Sequence, residues 1–156
     1  MKPKRLEFCG INSFSEKAGI DFDKLLSGGL FGIFGDTGSG KTTILDSMIF
    51  ALYGKIDRTR GGNANEIINY NCDKAYVVFD FACEWDGKRR VFRVHREIKR
   101  KNSQQNLELC EIDGDKMRGL SEGVKKTNEM ILDIVGLSFE DFKKCIALPQ
   151  GEFAQF

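Results

Sequence analysis

The sequence predicts an α/β fold with a mixed sheet, and three observations support this class. A short apolar segment at residues 30–34 runs directly into a glycine-rich stretch, after which the hydrophobic period becomes helical. Residues 75–118 then alternate with a period of two and contain two Asp-Gly turn pairs. Two helical segments with their own end signals follow. Strands and helices mixed in this order over 156 residues indicate one domain.

The first third of the chain reads as strand, loop and helix. Residues 5–11 (RLEFCGI) and 30–34 (LFGIF) are short apolar runs typical of strands. After Lys41 the apolar residues recur at helical spacing, and Gly54 supplies a C-terminal stop. The predicted apolar face of this helix consists of Ile44, Leu45, Met48, Ile49 and Leu52. Residues 57–66 (DRTRGGNANE) are polar and glycine-rich, which predicts a surface loop.

The middle of the chain reads as an antiparallel β meander. Alternate residues from Ala75 to Phe81 are apolar, which predicts a strand with one buried face. Asp86-Gly87 marks a hairpin turn into a basic strand, and Asp113-Gly114 marks a second turn. Residues 75–118 are therefore expected to form neighbouring antiparallel strands.

Two helices are predicted after the meander. Ser121 is expected to open the first helix, and Gly136 is expected to end it. Ser138 and Asp141 resemble a capping box for a shorter helix over residues 139–145.

The composition excludes several classes of protein. The hydrophobic content is 41% and the charged content is 30%, which is ordinary for a soluble globular domain. The chain contains no apolar run of about 18 residues, and its start, MKPKRLEF, has no apolar signal core, so we expect a cytoplasmic protein without a membrane span. Five cysteines without CxxC spacing do not indicate a disulfide framework. The net charge is only +1, so any binding of nucleic acid requires a local basic patch.

The strongest motif is GDTGSGKT at residues 35–42, which fits the Walker A pattern GxxxxGK[ST]. Its glycines let the backbone curl so that amide groups point at a β-phosphate, and the following helix adds the positive end of its dipole. Lys41 is expected to reach the β- and γ-phosphates and to be catalytic, and Thr42 is expected to bind Mg²⁺. The alternative, a glycine-rich structural turn, fits the strand and helix flanks less well. The predicted nucleotide-binding residues are Gly35, Asp36, Thr37, Gly38, Ser39, Gly40, Lys41, Thr42 and Thr43.

Two other stretches mimic ATPase motifs. LSGG at residues 26–29 looks like the signature motif of ABC-type ATPases, but it lies between two strand patterns, where Gly-Gly is ordinary turn chemistry. YVVFD at residues 76–80 mimics a Walker B strand, but it alternates, and Phe81 follows Asp80 in place of the glutamate that would act as a general base. We interpret both stretches as structural, so the sequence offers no catalytic base in the usual place.

The segment KRRVFRVHREIKRK at residues 88–101 is strongly basic. On a strand, Arg93, His95 and Lys99 face outward, so the cations are expected to form a stripe on one face and at the strand ends. Such a stripe can neutralise DNA phosphates. It can equally be a solvated edge strand that its charges protect from aggregation. We interpret His95 as a surface residue.

Taken together, these features resemble the N-terminal ATPase half of the SbcC family, bacterial relatives of the eukaryotic double-strand-break repair ATPases. The resemblance spans nearly the whole chain. It is carried by IDFDKL (20–25), GDTGSGKTTILDSMIFALYG (35–54), RVFRVHRE (90–97) and above all LPQGEFAQF (148–156), which is close to the Q-loop sequence of the family.

The resemblance implies an ABC-type P-loop ATPase fold, with residues 1–156 as the N-terminal lobe of the head, ending after the Q-loop and before an expected coiled coil. It implies that the nucleotide is ATP and that Gln150 contacts Mg²⁺ and the attacking water, since its amide can both accept and donate. In such proteins the C-terminal half supplies the signature, the Walker B strand and the catalytic glutamate. This chain alone is therefore not expected to hydrolyse ATP.

The partners implied by the resemblance are DNA, an SbcD-like nuclease, the C-terminal half of the same head, and a second head that pairs when ATP binds. Some relatives place an arginine after the first strand, near the nucleotide. Here the region reads NSFSEK, which leaves Asn12, Ser13 and Lys17 as candidates for the base side of the site.

Two alternatives to the SbcC interpretation fit parts of the sequence. The first is an SMC- or RecF-like head that clamps DNA without a nuclease, and LPQGEF favours SbcC over it. The second is a small kinase or GTPase, which the lack of an NKxD-type motif and of a lid-like arginine cluster disfavours.

Overall fold

Six strands form an open antiparallel sheet in the computed structural model, which describes residues 1–25, 32–56 and 64–145. Their order across the sheet is β2-β1-β3-β4-β5-β6. The strands are β1 (Lys2–Cys9), β2 (Ala18–Asp21), β3 (Lys74–Trp85), β4 (Lys88–Lys99), β5 (Gln105–Asp113) and β6 (Lys116–Gly119).

The hairpin of β3 and β4 forms the centre of the sheet. Each of the two strands has 12 residues, and they pair without a register shift from Lys74↔Lys99 to Trp85↔Lys88. Asp86 and Gly87 connect them, both with positive φ (53° and 69°). A two-residue turn with positive φ at both positions matches the right-handed twist of the flanking strands, which is why Asp-Gly favours it. The long strands give the helices a broad face on which to pack.

The described sheet is antiparallel throughout, whereas the sequence predicts a mixed sheet. The predicted strand over residues 30–34 accounts for the difference, because residues 32–36 belong to no strand and residues 30–31 lie outside the described part. A buried parallel strand needs a hydrogen-bonding neighbour, and the described strands provide none beside this segment. Ile33 and Phe34 are accordingly 42% and 93% exposed.

Four helices lie in the described part of the chain, and the two longest pack on one face of the sheet. They are α1 (Phe22–Leu25), α2 (Lys41–Tyr53), α3 (Val124–Val135) and α4 (Phe139–Cys145). A 3-10 turn covers Ala64–Ile67. Helix α2 contacts β3, β4 and α3, so the core lies between the two helices and the central hairpin. No helix in the described ranges has the length and apolarity needed to cross a bilayer.

Helix α2 is buried around more of its circumference than the predicted stripe implies. Phe50 and Ala51, which lie outside the predicted face, are fully buried, whereas Ile44, Leu45 and Met48 of that face are half-buried. The reason is that α2 packs on both the sheet and α3. The prediction for its C-terminal end is confirmed, since Gly54 has φ 69° and its amide donates to the carbonyl of Phe50 at 2.8 Å.

The last two helices agree with the prediction except that α3 begins at a later residue than expected. Helix α3 begins at Val124, after Gly123, because the hydroxyl of Ser121 donates to the hydroxyl of Thr127 (2.9 Å) instead of capping an amide. The capping box of α4 is present, with the amide of Asp141 donating to Oγ of Ser138 at 3.2 Å. Helix α4 docks on the end of α2 through Tyr53. Burial and the nearby Asp141 carboxylate raise the pKa of that tyrosine to about 12.

The opposite face of the sheet carries a buried ion pair. Arg93 donates to both carboxylate oxygens of Asp80 at 2.6 Å, and Asp80 is only 6% exposed. The hydrogen bonds to this carboxylate raise the pKa of Arg93. A bidentate pair of this kind is costly to break, because removal of Asp80 leaves the half-buried guanidinium of Arg93 without its carboxylate partner.

We therefore expect Asp80→Ala to lower the free energy of unfolding by about 2–4 kcal/mol. The matched control is Glu84→Ala on the same strand, where the side chain is exposed and the cost stays within about 0.5 kcal/mol. Urea unfolding of the two variants measures the difference. Equal stability of the two would contradict the importance of the pair.

Candidate nucleotide site

The glycine-rich loop at residues 35–40 leads directly into the first turn of α2. Gly38 and Gly40 have φ of 85° and 88°, a region that side chains strongly disfavour. Gly40 is also sterically required, because a Cβ at this position would meet the ring of Phe14 at 2.4 Å. At Gly38 a Cβ would meet nothing within 4 Å. The loop thus passes close under Phe14 at Gly40 and faces open space at Gly38.

Lys41 folds back over this loop. Its ammonium group donates to the carbonyls of Gly35 (2.6 Å) and Asp36 (2.7 Å) and lies 3.4 Å from Oγ of Ser39. These contacts hold the cation against the backbone of the loop. The carbonyls are partners that a phosphate oxygen can replace.

A cavity of about 530 Å³ opens beside the loop and the start of α2. Thr37, Gly38, Gly40, Lys41, Thr42 and Thr43 form one side of it. The other side consists of Asn12, Ser13, Ile56 and Glu66, which come from three separate segments of the chain. A volume of this size suits a small organic ligand.

The segment after β1 is fixed tightly at the cavity wall. The amide of Asn12 donates to the carbonyl of Ile67 (2.8 Å), and its carbonyl accepts from the side chain of Asn69 (2.6 Å). Asn12 has φ 46°, which asparagine tolerates better than most residues. Its side-chain amide lies 3.4 Å from Oγ1 of Thr43. The sequence did not identify Glu66 as a cavity residue or Asn69 as the hydrogen-bond partner of Asn12, because both come near the site only in the tertiary fold.

The residues present fit a magnesium–phosphate group. No side chain in the described part of the chain caps the N-terminus of α2, and of the first three helical amides the one of Thr43 donates to the carbonyl of Gly40 at 2.9 Å, which leaves those of Lys41 and Thr42 as candidate donors. Lys41 supplies a cation at the same place, and Thr42 offers a hydroxyl on the first turn, at the cavity surface. Together these groups form the donor set that an anionic ligand with a bound Mg²⁺ requires.

The other residues singled out from the sequence lie elsewhere. Lys17 is not among the described residues that line the cavity, and it pairs with Glu7 at 3.0 Å, which lowers the pKa of that carboxyl. Asp80 lies on the opposite face of the sheet in its pair with Arg93, which agrees with a structural role for YVVFD. Gln150 and the LSGG stretch at residues 26–29 lie outside the described residues.

The sequence predicts that the basic segment at residues 88–101 carries cations on one outward face and at the strand ends, and the structure leaves them available mainly at the ends. Arg93 is paired with Asp80, Arg90 with Glu111 at 3.0 Å, and Arg96 is fully buried. Arg100 donates to backbone carbonyls. The cations of this segment that are exposed and have no ion pair within the described residues are Lys88, Arg89, Lys99, Arg100 and Lys101, of which Arg100 is occupied by the backbone carbonyls. The positive charge available to a ligand is therefore confined to the two ends of the strand.

Comparison with known proteins places the chain in a family. A family model described as AAA domain matches residues 5–156, which is nearly the whole chain. The chain belongs to this AAA domain family. An AAA domain with a glycine-rich loop before a helix and an antiparallel sheet fits an α/β P-loop NTPase.

This AAA domain is also similar to curated proteins named as the SbcC component of the SbcCD nuclease. The protein of Clostridium acetobutylicum is 42% identical over 161 residues, covering 100% of this chain and 13% of the relative. The protein of Bacillus subtilis is 40% identical over 164 residues, covering 100% and 14%. The protein of Deinococcus radiodurans is 36% identical over 156 residues, covering 99% and 16%. The chain thus spans 13–16% of the length of these relatives.

The two glycines of the loop provide a matched test of its geometry. Both have positive φ, so Gly38→Ala and Gly40→Ala share a backbone strain of about 1–2 kcal/mol. Only Gly40→Ala also collides with the Phe14 ring, which is itself held against Phe8 at 5.1 Å. We expect Gly40→Ala to lower the melting temperature further than Gly38→Ala, as measured by circular dichroism. The reverse order would contradict the described approach of Phe14.

Proposed function

We propose that this chain is the ATP-binding N-terminal lobe of an SbcC-type ATPase head. The observation that carries the proposal is the phosphate loop over which Lys41 is held, leading into a helix whose N-terminus opens on a cavity. The similarity to the SbcC component of the SbcCD nuclease supports the choice of ATPase class. In this interpretation the ligand is ATP with Mg²⁺.

Each residue of the loop has a distinct task in this proposal. Backbone amides of the loop and those of Lys41 and Thr42 bind the phosphates, whereas the amides of Ser39 and Thr43 donate to the carbonyls of Asp36 and Gly40. Lys41 leaves the carbonyls of Gly35 and Asp36 to reach the β- and γ-phosphates. Thr42 binds Mg²⁺ through its hydroxyl. The ion, when bound, offsets the charge that develops on the phosphates. Thr43 remains in contact with Asn12 and keeps the helix start in place.

The base side of the nucleotide is proposed to face Asn12 and Ser13. Both line the cavity, and Asn12 is held by backbone and side-chain hydrogen bonds from the segment at residues 67–69. A polar group held in this way can recognise a ligand without a large loss of side-chain entropy. Lys17 is not part of this proposal, because it is paired with Glu7.

Hydrolysis is proposed to need groups from outside the described residues. Gln150 would contact Mg²⁺ and the attacking water, and a C-terminal half of the head would supply the signature, the Walker B strand and the base. The exposure of Ile33 and Phe34 supports this, because these apolar residues precede the loop without a strand partner in the described sheet. A parallel strand of the second half is the neighbour that they require.

The further partners in this proposal are DNA, an SbcD-like nuclease and a second head that pairs when ATP binds. The names of the relatives support the first two partners. The alternative is an SMC- or RecF-like head that clamps DNA without a nuclease, and the loop and cavity fit that alternative equally well. Co-purification with a nuclease separates the two.

We expect Lys41→Ala to abolish binding of ATP with Mg²⁺ to the chain, as measured by isothermal titration calorimetry, because the loop loses its only lysine. The matched control is Lys24→Ala, which removes an exposed lysine from α1, outside the cavity lining, and leaves the affinity unchanged. Neither the wild-type chain nor the variant is expected to release phosphate steadily. Steady release by the wild-type chain above the Lys41→Ala level would show that the chain needs no further half.

DNA binding is expected to depend on the exposed cations at the far end of β4. Removal of Lys99 and Lys101 should lower the slope of log affinity against log salt by about two for a duplex probe, at about 0.9 per lost phosphate contact. The control removes Lys125 and Lys126 from α3, which changes the net charge equally. A fluorescence anisotropy titration at several salt concentrations measures both slopes. Identical slopes for the two variants would show that Lys99 and Lys101 do not contact DNA and are only solvated residues at the end of a strand.

A further inference from the structure

Arg96 is a buried arginine at the centre of the fold. It lies on β4 with the same parity as Phe92, Val94 and Ile98, so its side chain enters the core between the sheet and the helices. It is 0% exposed and is the largest of the fully buried side chains in the described part of the chain. No role of the phosphate loop or of the cavity described above requires a cation at this place.

The guanidinium group connects three elements. Its Nε donates to the carbonyl of Ala51 (2.9 Å) and its Nη2 to the carbonyl of Leu52 (3.3 Å), both in the last turn of α2. Nη2 also donates to Oδ1 of Asn128 on α3 (2.7 Å), and Nη1 donates to Oε1 of Gln105 at the start of β5 (2.9 Å). One side chain therefore fixes the C-terminal end of α2 to the sheet and to α3.

The acceptors among the described residues are all neutral. Burial lowers the pKa of Arg96 to about 10, so the group remains a cation at neutral pH. The negative end of the α2 dipole is the compensation that the fold offers to this charge. Leaving a charge in the core without a carboxylate is expensive, and the four hydrogen bonds of the guanidinium offset part of that cost.

The same end of α2 packs closely against the side chains of Arg96 and Gln105. Gly54 follows the helix with φ 69°, and a Cβ at this position would meet Nη1 of Arg96 at 2.7 Å. Gln105 additionally donates to the carbonyl of Gly54 at 3.4 Å. The C-terminal end of α2 is thus held by fixed hydrogen bonds, whereas the N-terminal end has no side-chain cap within the described residues.

We infer that Arg96 is a positioning residue for the nucleotide site, which fixes the axial position and rotation of α2 and thereby the placement of Lys41 and Thr42. The inference rests on the proposed function. A helix of 13 residues is a rod of about 20 Å, so a group that holds one end determines where the other end lies. A slip of one residue at Ala51 and Leu52 would rotate the helix by about 100° and turn Thr42 away from the cavity.

The chain contains a matched arginine for the test. Arg93 lies three residues earlier on β4, on the other face of the sheet, and its hydrogen bonds go to Asp80 and not to α2. Arg93→Met therefore removes a well-bonded guanidinium from the same strand without freeing α2. Arg96→Lys keeps the cation and loses the planar fork. Asn128→Ala removes one of the hydrogen-bond acceptors of Arg96, on α3. It is the variant to measure if Arg96→Lys does not fold.

The first experiment uses no nucleotide. Hydrogen exchange of the chain, followed by mass spectrometry on peptides covering residues 35–53, reports how firmly α2 is held. We expect Arg96→Lys, and to a smaller extent Asn128→Ala, to speed exchange in these peptides by about tenfold, the equivalent of 1.4 kcal/mol in an opening equilibrium. Because Arg93→Met breaks a pair that stabilises the whole fold, the change in each variant is compared with the change in peptides covering β1. Arg93→Met is expected to speed exchange in residues 35–53 no more than in β1. Acceleration in Arg96→Lys or in Asn128→Ala that is no greater in residues 35–53 than in β1 would overturn the inference.

The second experiment measures ATP affinity at a temperature where circular dichroism shows each variant to be folded. Arg96→Lys should weaken ATP binding by about tenfold. Arg93→Met should leave the ATP affinity unchanged, even if it lowers the melting temperature more than Arg96→Lys does. A loss of thermal stability without a loss of affinity in Arg96→Lys would show that the arginine only stabilises the core. If the wild-type chain itself does not bind ATP, the proposed function fails, while the exchange experiment still decides whether Arg96 holds α2.

Discussion

The packing of α2 on the β3–β4 hairpin is the constraint on which the rest of the structure depends. Phe79, Phe81 and Phe92 of the hairpin and Phe50 of the helix are fully buried, and a buried side chain of this size stabilises the fold by about 1.5–3 kcal/mol. The glycine-rich loop contributes almost nothing to this core, since residues 32–39 are exposed. It is positioned by the packed helix that follows it, by Phe14 beside Gly40, and by Asn12 beside Thr43.

The arginines of β4 show how strand geometry divides a basic sequence between two faces. Arg93 and Arg96 are three residues apart, so they point to opposite sides of the sheet. Arg93 meets a carboxylate on one face, whereas Arg96 meets the carbonyls of a helix end on the other. Each of the two arginines is engaged in a contact within the protein. The positive charge of this segment that a ligand can reach is therefore smaller than its composition implies.

Several local features could be predicted because short-range interactions decide them. Gly54 and Gly136 end their helices in the left-handed conformation, and Asp86-Gly87 forms the hairpin turn, since few other residues adopt these angles without strain. The predicted start of α3 is wrong by three residues because Ser121 contacts the hydroxyl of Thr127, a contact that spacing alone does not reveal. The segment over residues 30–34 reads as a strand, but pairing needs a neighbour, and no local rule supplies one.

The sequence by itself determined the glycine-rich loop before α2, the β meander with its turns, and the likeness to a known ATPase class, because each depends on residues that are adjacent or regularly spaced. Only the tertiary structure decided which groups surround the loop. Asn12, Ile56 and Glu66 come from distant segments, and they share a cavity with Lys41 only because the segments meet in space. Arg96 makes the same point inside the core, because a basic residue in a basic segment reads as solvated. Arg96 is buried because alternate residues of β4 face the core, and because the C-terminal end of α2 packs there with carbonyls that accept its hydrogen bonds.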